Sequence, residues 1–151
     1  MKKLILFLII IAGITEGCQK YEEGPWLSLR SAEKRLYGNY TLKQYTVNGV
    51  HSLSLFYDSL GLNFEISYDD VNSLNIFKID GKRKDGHYYP VICTWQLINN
   101  NKVLEIKTAY AYTGTGPFGN NITPEWEILR LTNNEIKLRT YYNNKEYIIN
   151  L

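Results

Sequence analysis

The residues able to do chemistry in this chain are few, and they are far apart. Its two histidines, His51 and His87, fall in unrelated segments, and the sequence has neither a His-x-His nor a His-Glu-x-x-His spacing. A zinc or iron site needs three or four such donors converging on one point, so none is expected. A serine hydrolase would present its nucleophile on a Gly-x-Ser-x-Gly turn, and no such turn exists. Asp69-Asp70-Val71-Asn72 has calcium-type donors but lacks the glycine and distal glutamate of a calcium loop, and reads as a plain turn. Of the two cysteines, Cys93 alternates with Val91 and Trp95 on one face, the pattern of a small buried residue. A reactive thiol would need exposure and a positive neighbour. No acid–base or nucleophilic grouping stands out, so the expectation is a protein that is not an enzyme and needs no cofactor or metal.

Cys18 is different, because of what precedes it. Lys2 and Lys3 start the chain, and residues 4–14 (LILFLIIIAGI) form an apolar run. A bilayer-spanning helix takes about 20 apolar residues, so the run is too short to span and has the size of a signal-peptide core. Thr15-Glu16-Gly17-Cys18 then resembles the lipobox of bacterial lipoproteins, in which a small residue precedes a cysteine that is cut free and lipidated. Gly17 and Cys18 match that motif, whereas Thr15 stands where leucine is usual and Glu16 is a departure. The resemblance implies a signal peptide over residues 1–17 and a membrane anchor at Cys18. Two or three acyl chains there would hold far more firmly than one. Gln19-Lys20-Tyr21-Glu22-Glu23 is similar to the acidic export signal of Bacteroidota lipoproteins, which implies the outer membrane and surface display. A solvated tether facing the periplasm needs only the same polarity.

The elements that follow are β. Residues 18–35 read as the lipidated cysteine, a flexible tether in which Gly24-Pro25 prevents helix, and a short helical turn capped by Ser31. The domain proper is expected over residues 36–151. Alternation marks strands at residues 40–47 (YTLKQYTV), 62–68 (LNFEISY), 74–80 (LNIFKID), 89–97, 102–108, 124–132, 135–142 and 145–151. Asn48-Gly49, Asn99–Asn101, Asn133-Asn134 and Asn143-Asn144 supply the turns. Loops this short between neighbours impose antiparallel pairing. A meander of about eight short strands closes as a barrel or a sandwich, and the barrel is favoured because closure removes both edges.

Gly38-Asn39-Tyr40, placed after a helical turn at the start of the first strand, resembles the Gly-x-Trp signature of lipocalins, with tyrosine for tryptophan. The stretches KYEEGPWLSLRSAEKRLYGNYTL and WEILRLTNNEIKLRTYY look like the lipocalin-like lipoproteins of the Bacteroidota, so the resemblance covers most of residues 18–151. It implies a lipid-anchored, lipocalin-like, up-and-down barrel. It also implies a basic residue late in the barrel, Arg139 before Arg130, lying over Tyr40 as a cation–π lid. Gly38, Tyr40 and Arg139 are therefore the expected closure residues.

Function follows less directly. The chain carries 17 basic and 15 acidic residues; without Lys2, Lys3 and Glu16 the mature domain has 15 against 14, too balanced to attract nucleic acid. The long loop at residues 109–123 (AYAYTGTGPFGNNIT) is the most conspicuous surface. Trp95, Tyr110, Tyr112, Phe118 and Trp126 are the aromatic candidates for stacking on a sugar or closing over an apolar ligand. Equally, Phe118 could plug one barrel end. Lys82-Arg83-Lys84 reads as a solvated hairpin tip, and Asp58-Ser59-Leu60 resembles a Bacteroidota O-glycosylation acceptor. An eight-stranded barrel either fills itself or holds one small ligand. The leading expectation is a non-enzymatic, membrane-anchored carrier of a small apolar or glycan-like ligand; the alternative is a ligandless accessory subunit of a surface complex.

Overall fold

In the computed structural model, residue 21 and residues 31–54, 62–80, 90–108, 117–118 and 123–151 are described. The expectations for Cys18, the signal peptide, Lys82–Lys84, His87 and Asp58–Leu60 fall outside them. Among the described residues a short helix, α1 (Ala32–Leu36), precedes ten strands: β1 (Gly38–Thr41), β2 (Gln44–Val47), β3 (Val50–His51), β4 (Asn63–Asp69), β5 (Leu74–Asp80), β6 (Val91–Ile98), β7 (Val103–Thr108), β8 (Glu125–Leu131), β9 (Ile136–Tyr142) and β10 (Lys145–Asn150). Ser31 caps α1 as expected, its Oγ accepting from the Lys34 amide at 3.3 Å.

All ten strands belong to one antiparallel sheet, in the order β1-β4-β5-β6-β7-β8-β9-β10-β2-β3. β1 and β2 sit towards opposite ends of that order, yet only Leu42 and Lys43 separate them in the chain. They are two halves of one bent strand. The first half pairs with β4 (Gly38↔Ile66 to Thr41↔Asn63) and the second with β10 (Gln44↔Asn150 to Val47↔Tyr147). At the bend the Leu42 amide donates to Leu62 O (2.7 Å) while the Lys43 amide donates to Asn150 O (2.8 Å). The sheet is thus closed on itself as an up-and-down, lipocalin-like barrel of eight walls, with β3 as a two-residue stub hung on β2. Asparagines make the tight turns: Asn48-Gly49 and Asn143-Asn144 both have positive φ, the conformation a two-residue hairpin needs.

Alternation sends one face of every strand inward. Phe64, Ile66, Phe77, Ile79, Cys93, Leu104, Ile106, Trp126, Leu138 and Ile149 are all at most 2% exposed. These side chains leave no water-accessible space beside them and form the core among the described residues. Phe64 meets Phe77 edge-on at 5.7 Å. One barrel end, here called the base, is covered by α1 through Ala32 and the fully buried Leu36. Towards the other end Phe118 stacks on Trp126 at 5.1 Å and 26°. β8 carries a bulge between Ile128 and Arg130, which lets Ile128 and Leu131 both be buried although three positions apart.

The tether is not free at Tyr21. Its ring is 3% exposed, joins the core cluster, and lies 5.5 Å from the Arg35 guanidinium carbon.

Buried tyrosines give this fold an alkaline limit. Burial raises the phenols of Tyr21, Tyr40 and Tyr45, and burial together with the Glu33 carboxylate pushes Tyr37 up to about 12. Each stays protonated in the folded chain where the unfolded chain would ionise, so their contribution is intact below the unfolded value of 10 and is lost above it. The urea midpoint should therefore hold level up to pH 10 and fall as pH climbs towards 12. A midpoint unchanged across that interval would contradict the assignment.

Candidate functional site

The residues expected to close the barrel divide. Gly38 and Tyr40 do sit where α1 meets the first strand. The Tyr40 hydroxyl lies 3.0 Å from Arg35 O and 3.1 Å from Leu36 O, so it satisfies carbonyls at the helix end that have no partner within the helix. The ring folds back over Gly38, where a Cβ would approach it to 3.2–3.3 Å. Glycine is needed here for close approach.

Arg139 does not lie over Tyr40. It alternates with the buried Leu138 and Thr140, which sends its side chain to the outer face, where it forks onto Glu127 Oε2 at 2.7 and 3.0 Å. Arg130 pairs with Glu135 at 3.0 Å. The arginine at the base is Arg35, 6% exposed, its Nη1 donating to Leu131 O at 2.8 Å and its cation facing Tyr21. Its Nε and the Tyr21 hydroxyl are buried without hydrogen-bond partners. The sequence signal for this pair was hidden, because α1 is too short for a charged residue on it to read as buried.

Of the aromatic candidates, Phe118 and Trp126 are buried against each other, ring on ring. Tyr110 and Tyr112 lie outside the described residues. Cys93 is buried and forms no disulfide, and His51 is exposed on β3. Among the described residues no three His, Cys, Asp or Glu side chains converge to hold a metal. Asp69 caps its own turn, accepting from the Val71 and Asn72 amides and the Asn72 side chain; these bonds lower its pKa.

Trp95 borders a surface hollow among the described residues. The β5–β6 ladder holds only from Ile76↔Thr94 to Ile79↔Val91. Beyond Ile76, Leu74 and Asn75 pair with β4 alone, while Trp95 to Ile98 pair with β7 alone. The two strands splay, and the Trp95 indole crosses the split to donate to Ile76 O at 3.2 Å. A hollow of about 320 Å³ occupies the gap, lined by Ser73, Leu74, Asn75, Thr94, Trp95, Gln96, Glu105 and Lys107. Thr94 stands opposite Lys107 and Gln96 opposite Glu105, with Gln96 Nε2 donating to Glu105 Oε1 at 2.6 Å. Tyr37 closes the base side: its ring is 5.9 Å from Trp95, and its hydroxyl is 3.1 Å from both Glu33 Oε1 and Asn75 Oδ1. Hydroxyl, amide, carboxylate and ammonium groups meet beside a tryptophan edge. That chemistry suits a small ligand with several hydroxyls or other polar groups, and it contains no nucleophile with a base beside it.

No protein-family model matches the chain. No curated protein matches it by sequence. Two solved structures resemble it in three dimensions. One is an uncharacterized protein from Bacteroides eggerthii, with TM-score 0.50 and 15% identity over 76% of this chain and 98% of that one. The other is a lipocalin-like protein from Bacteroides uniformis, with TM-score 0.44 and 16% identity over 76% of this chain and 96% of that one. At 15% identity the first likeness is one of fold alone. The class defined by topology and closure is a small, lipocalin-like β-barrel with a polar hollow in its wall.

The Gly38–Tyr40 contact makes a direct prediction. Gly38→Ala should cost about 1–3 kcal/mol through overpacking against the ring. Tyr40→Phe should cost a similar ~1–3 kcal/mol by stranding buried carbonyls. Because both act on one contact, the double variant in urea unfolding should lose less than the sum. Full additivity would mean that the two residues are not coupled.

Proposed function

We propose that this protein is a membrane-anchored, non-enzymatic binding protein whose barrel serves as a rigid scaffold, with a small polar, glycan-like ligand held in the wall hollow between β5 and β6. The observation that carries this reading is the polar hollow of about 320 Å³ at the split, beside a closely buried core. Its hydroxyl, amide, carboxylate and ammonium lining favours the glycan-like half of the sequence expectation over the apolar half. Trp95, 4% exposed beside the hollow, supplies an optical reporter.

Titration of the protein with a panel of neutral and acidic oligosaccharides, followed by Trp fluorescence, tests the site. At least one class should shift the emission saturably. Glu105→Gln and Asn75→Ala should each weaken that binding by about tenfold, the effect of losing a hydrogen bond to a charged or well-placed group. Binding unaffected by both substitutions would move the site elsewhere. Silence across the panel, with co-purification of a membrane transporter, would instead favour the accessory-subunit reading.

Anchoring is proposed through acylation of Cys18, supported by the lipobox-like Gly17-Cys18 and the short apolar leader. The acidic cluster after Cys18 favours the outer membrane and its outer face. Cys18→Ala should move the protein from the membrane fraction to the soluble fraction. Retention of the variant on membranes would overturn the anchor.

A further inference from the structure

We infer that the helix-capped base of the barrel is its membrane-facing surface, held there by Tyr21 packed on Arg35. The inference rests on the proposed acylation of Cys18, and it concerns the distance that anchor allows. A free linker from Cys18 to Ser31 would span thirteen residues, ~43–47 Å when extended, and the barrel could take any orientation at its end. Tyr21 is not free, however. It is buried against the base, only three residues from Cys18, a reach of ~10–11 Å.

The base is defined by independent contacts. Arg35 Nη1 bonds Leu131 O where β8 ends, and Tyr40 ties the end of α1 to the start of β1. The Leu151 amide bonds Ile136 O, so β9 begins and the chain ends at the same level. Antiparallel pairing carries the β4–β5, β6–β7 and β8–β9 turns to this end as well. Val71, at the tip of the β4–β5 turn, is 91% exposed. Lys34 and Lys102 share this end with Glu33 and Asp70, so charge alone would not hold it to a lipid surface; the short anchor does. The Tyr21–Arg35 contact is also stiff in energetic terms. A guanidinium that is 6% exposed, with one carbonyl as its hydrogen-bond partner, depends on the tyrosine face to offset its desolvation.

The test uses the full, acylated chain in phosphatidylcholine vesicles containing a lipid with a nitroxide on its headgroup. A fluorophore is placed on Asn134→Cys at the base or on Lys145→Cys at the far end; Cys93 is buried and does not compete. The base label should be quenched several-fold more than the far label. In Tyr21→Ala the difference should collapse. Equal quenching in the otherwise native chain would overturn the orientation, and that comparison decides it even where Tyr21→Ala fails to fold. A difference that survives in folded Tyr21→Ala would overturn the role of the contact. Failure of the anchor itself has a separate signature: the chain does not sediment with vesicles, and Cys18 then carries a reactive thiol. A spin label placed there should lie at a short, narrowly distributed distance from one on Asn134→Cys, broadening in Tyr21→Ala. A broad distribution in the native chain would show that no latch exists.

Discussion

The structure depends on a single strand that serves two neighbours. Leu42 and Lys43 are adjacent, and their amides bond opposite ends of the sheet, Leu62 on one side and Asn150 on the other. Without that bend, β4 and β10 would each present an open edge, and a seven-strand sheet would need to be covered or to pair with another chain. With it, one face of every strand must enter a single closed volume, and the pairing register decides which residues do so. The partition of side chains into interior and exterior follows from this closure, including the outward placement of Arg139 between Leu138 and Thr140.

Closure on eight walls leaves a narrow interior, and this chain spends it on large side chains. Trp126, Phe64 and Phe77 are fully buried together with nine aliphatic residues, Leu36 of the helix among them, and Phe118 stacks on Trp126. The wall is not uniform. The β5–β6 ladder has four paired positions and β7–β8 three, against seven for β4–β5. At the first of these weak seams Trp95 uses its indole N–H in place of a backbone pair, and the opening beside it is where polar side chains collect. Burying the core and opening the seam are therefore two consequences of one allocation of aromatic bulk.

Much of this was legible in the sequence, because period-two alternation and asparagine turns are local signals. Eight strands, the Ser31 cap and the buried Cys93 follow from neighbours in the chain. What was not legible depends on partners far apart. The bend shifts the apolar phase from Tyr40 and Leu42 to Tyr45 and Val47, but its one local mark, the two successive polar residues Lys43 and Gln44, does not tell that the two halves pair with different strands. The bulge in β8 shifts the phase of burial within WEILRL. Trp95 and Trp126 look alike as strand aromatics, yet one borders a seam and the other is sealed under Phe118. Arg35 on a five-residue helix reads as solvated until Tyr21, fourteen positions earlier, is seen to cover it.

The base and the hollow also bear on each other. Tyr37, the residue after α1, touches both Trp95 and Asn75, so the hollow opens on the wall close to the helix-capped end and not at the far end. If Tyr21 holds that end within ~10–11 Å of an acylated Cys18, the hollow faces sideways just above the lipid surface. A ligand reaching it would travel along the membrane or stand up from it. A polar group carried on a membrane component meets that geometry better than a solute sampled from bulk.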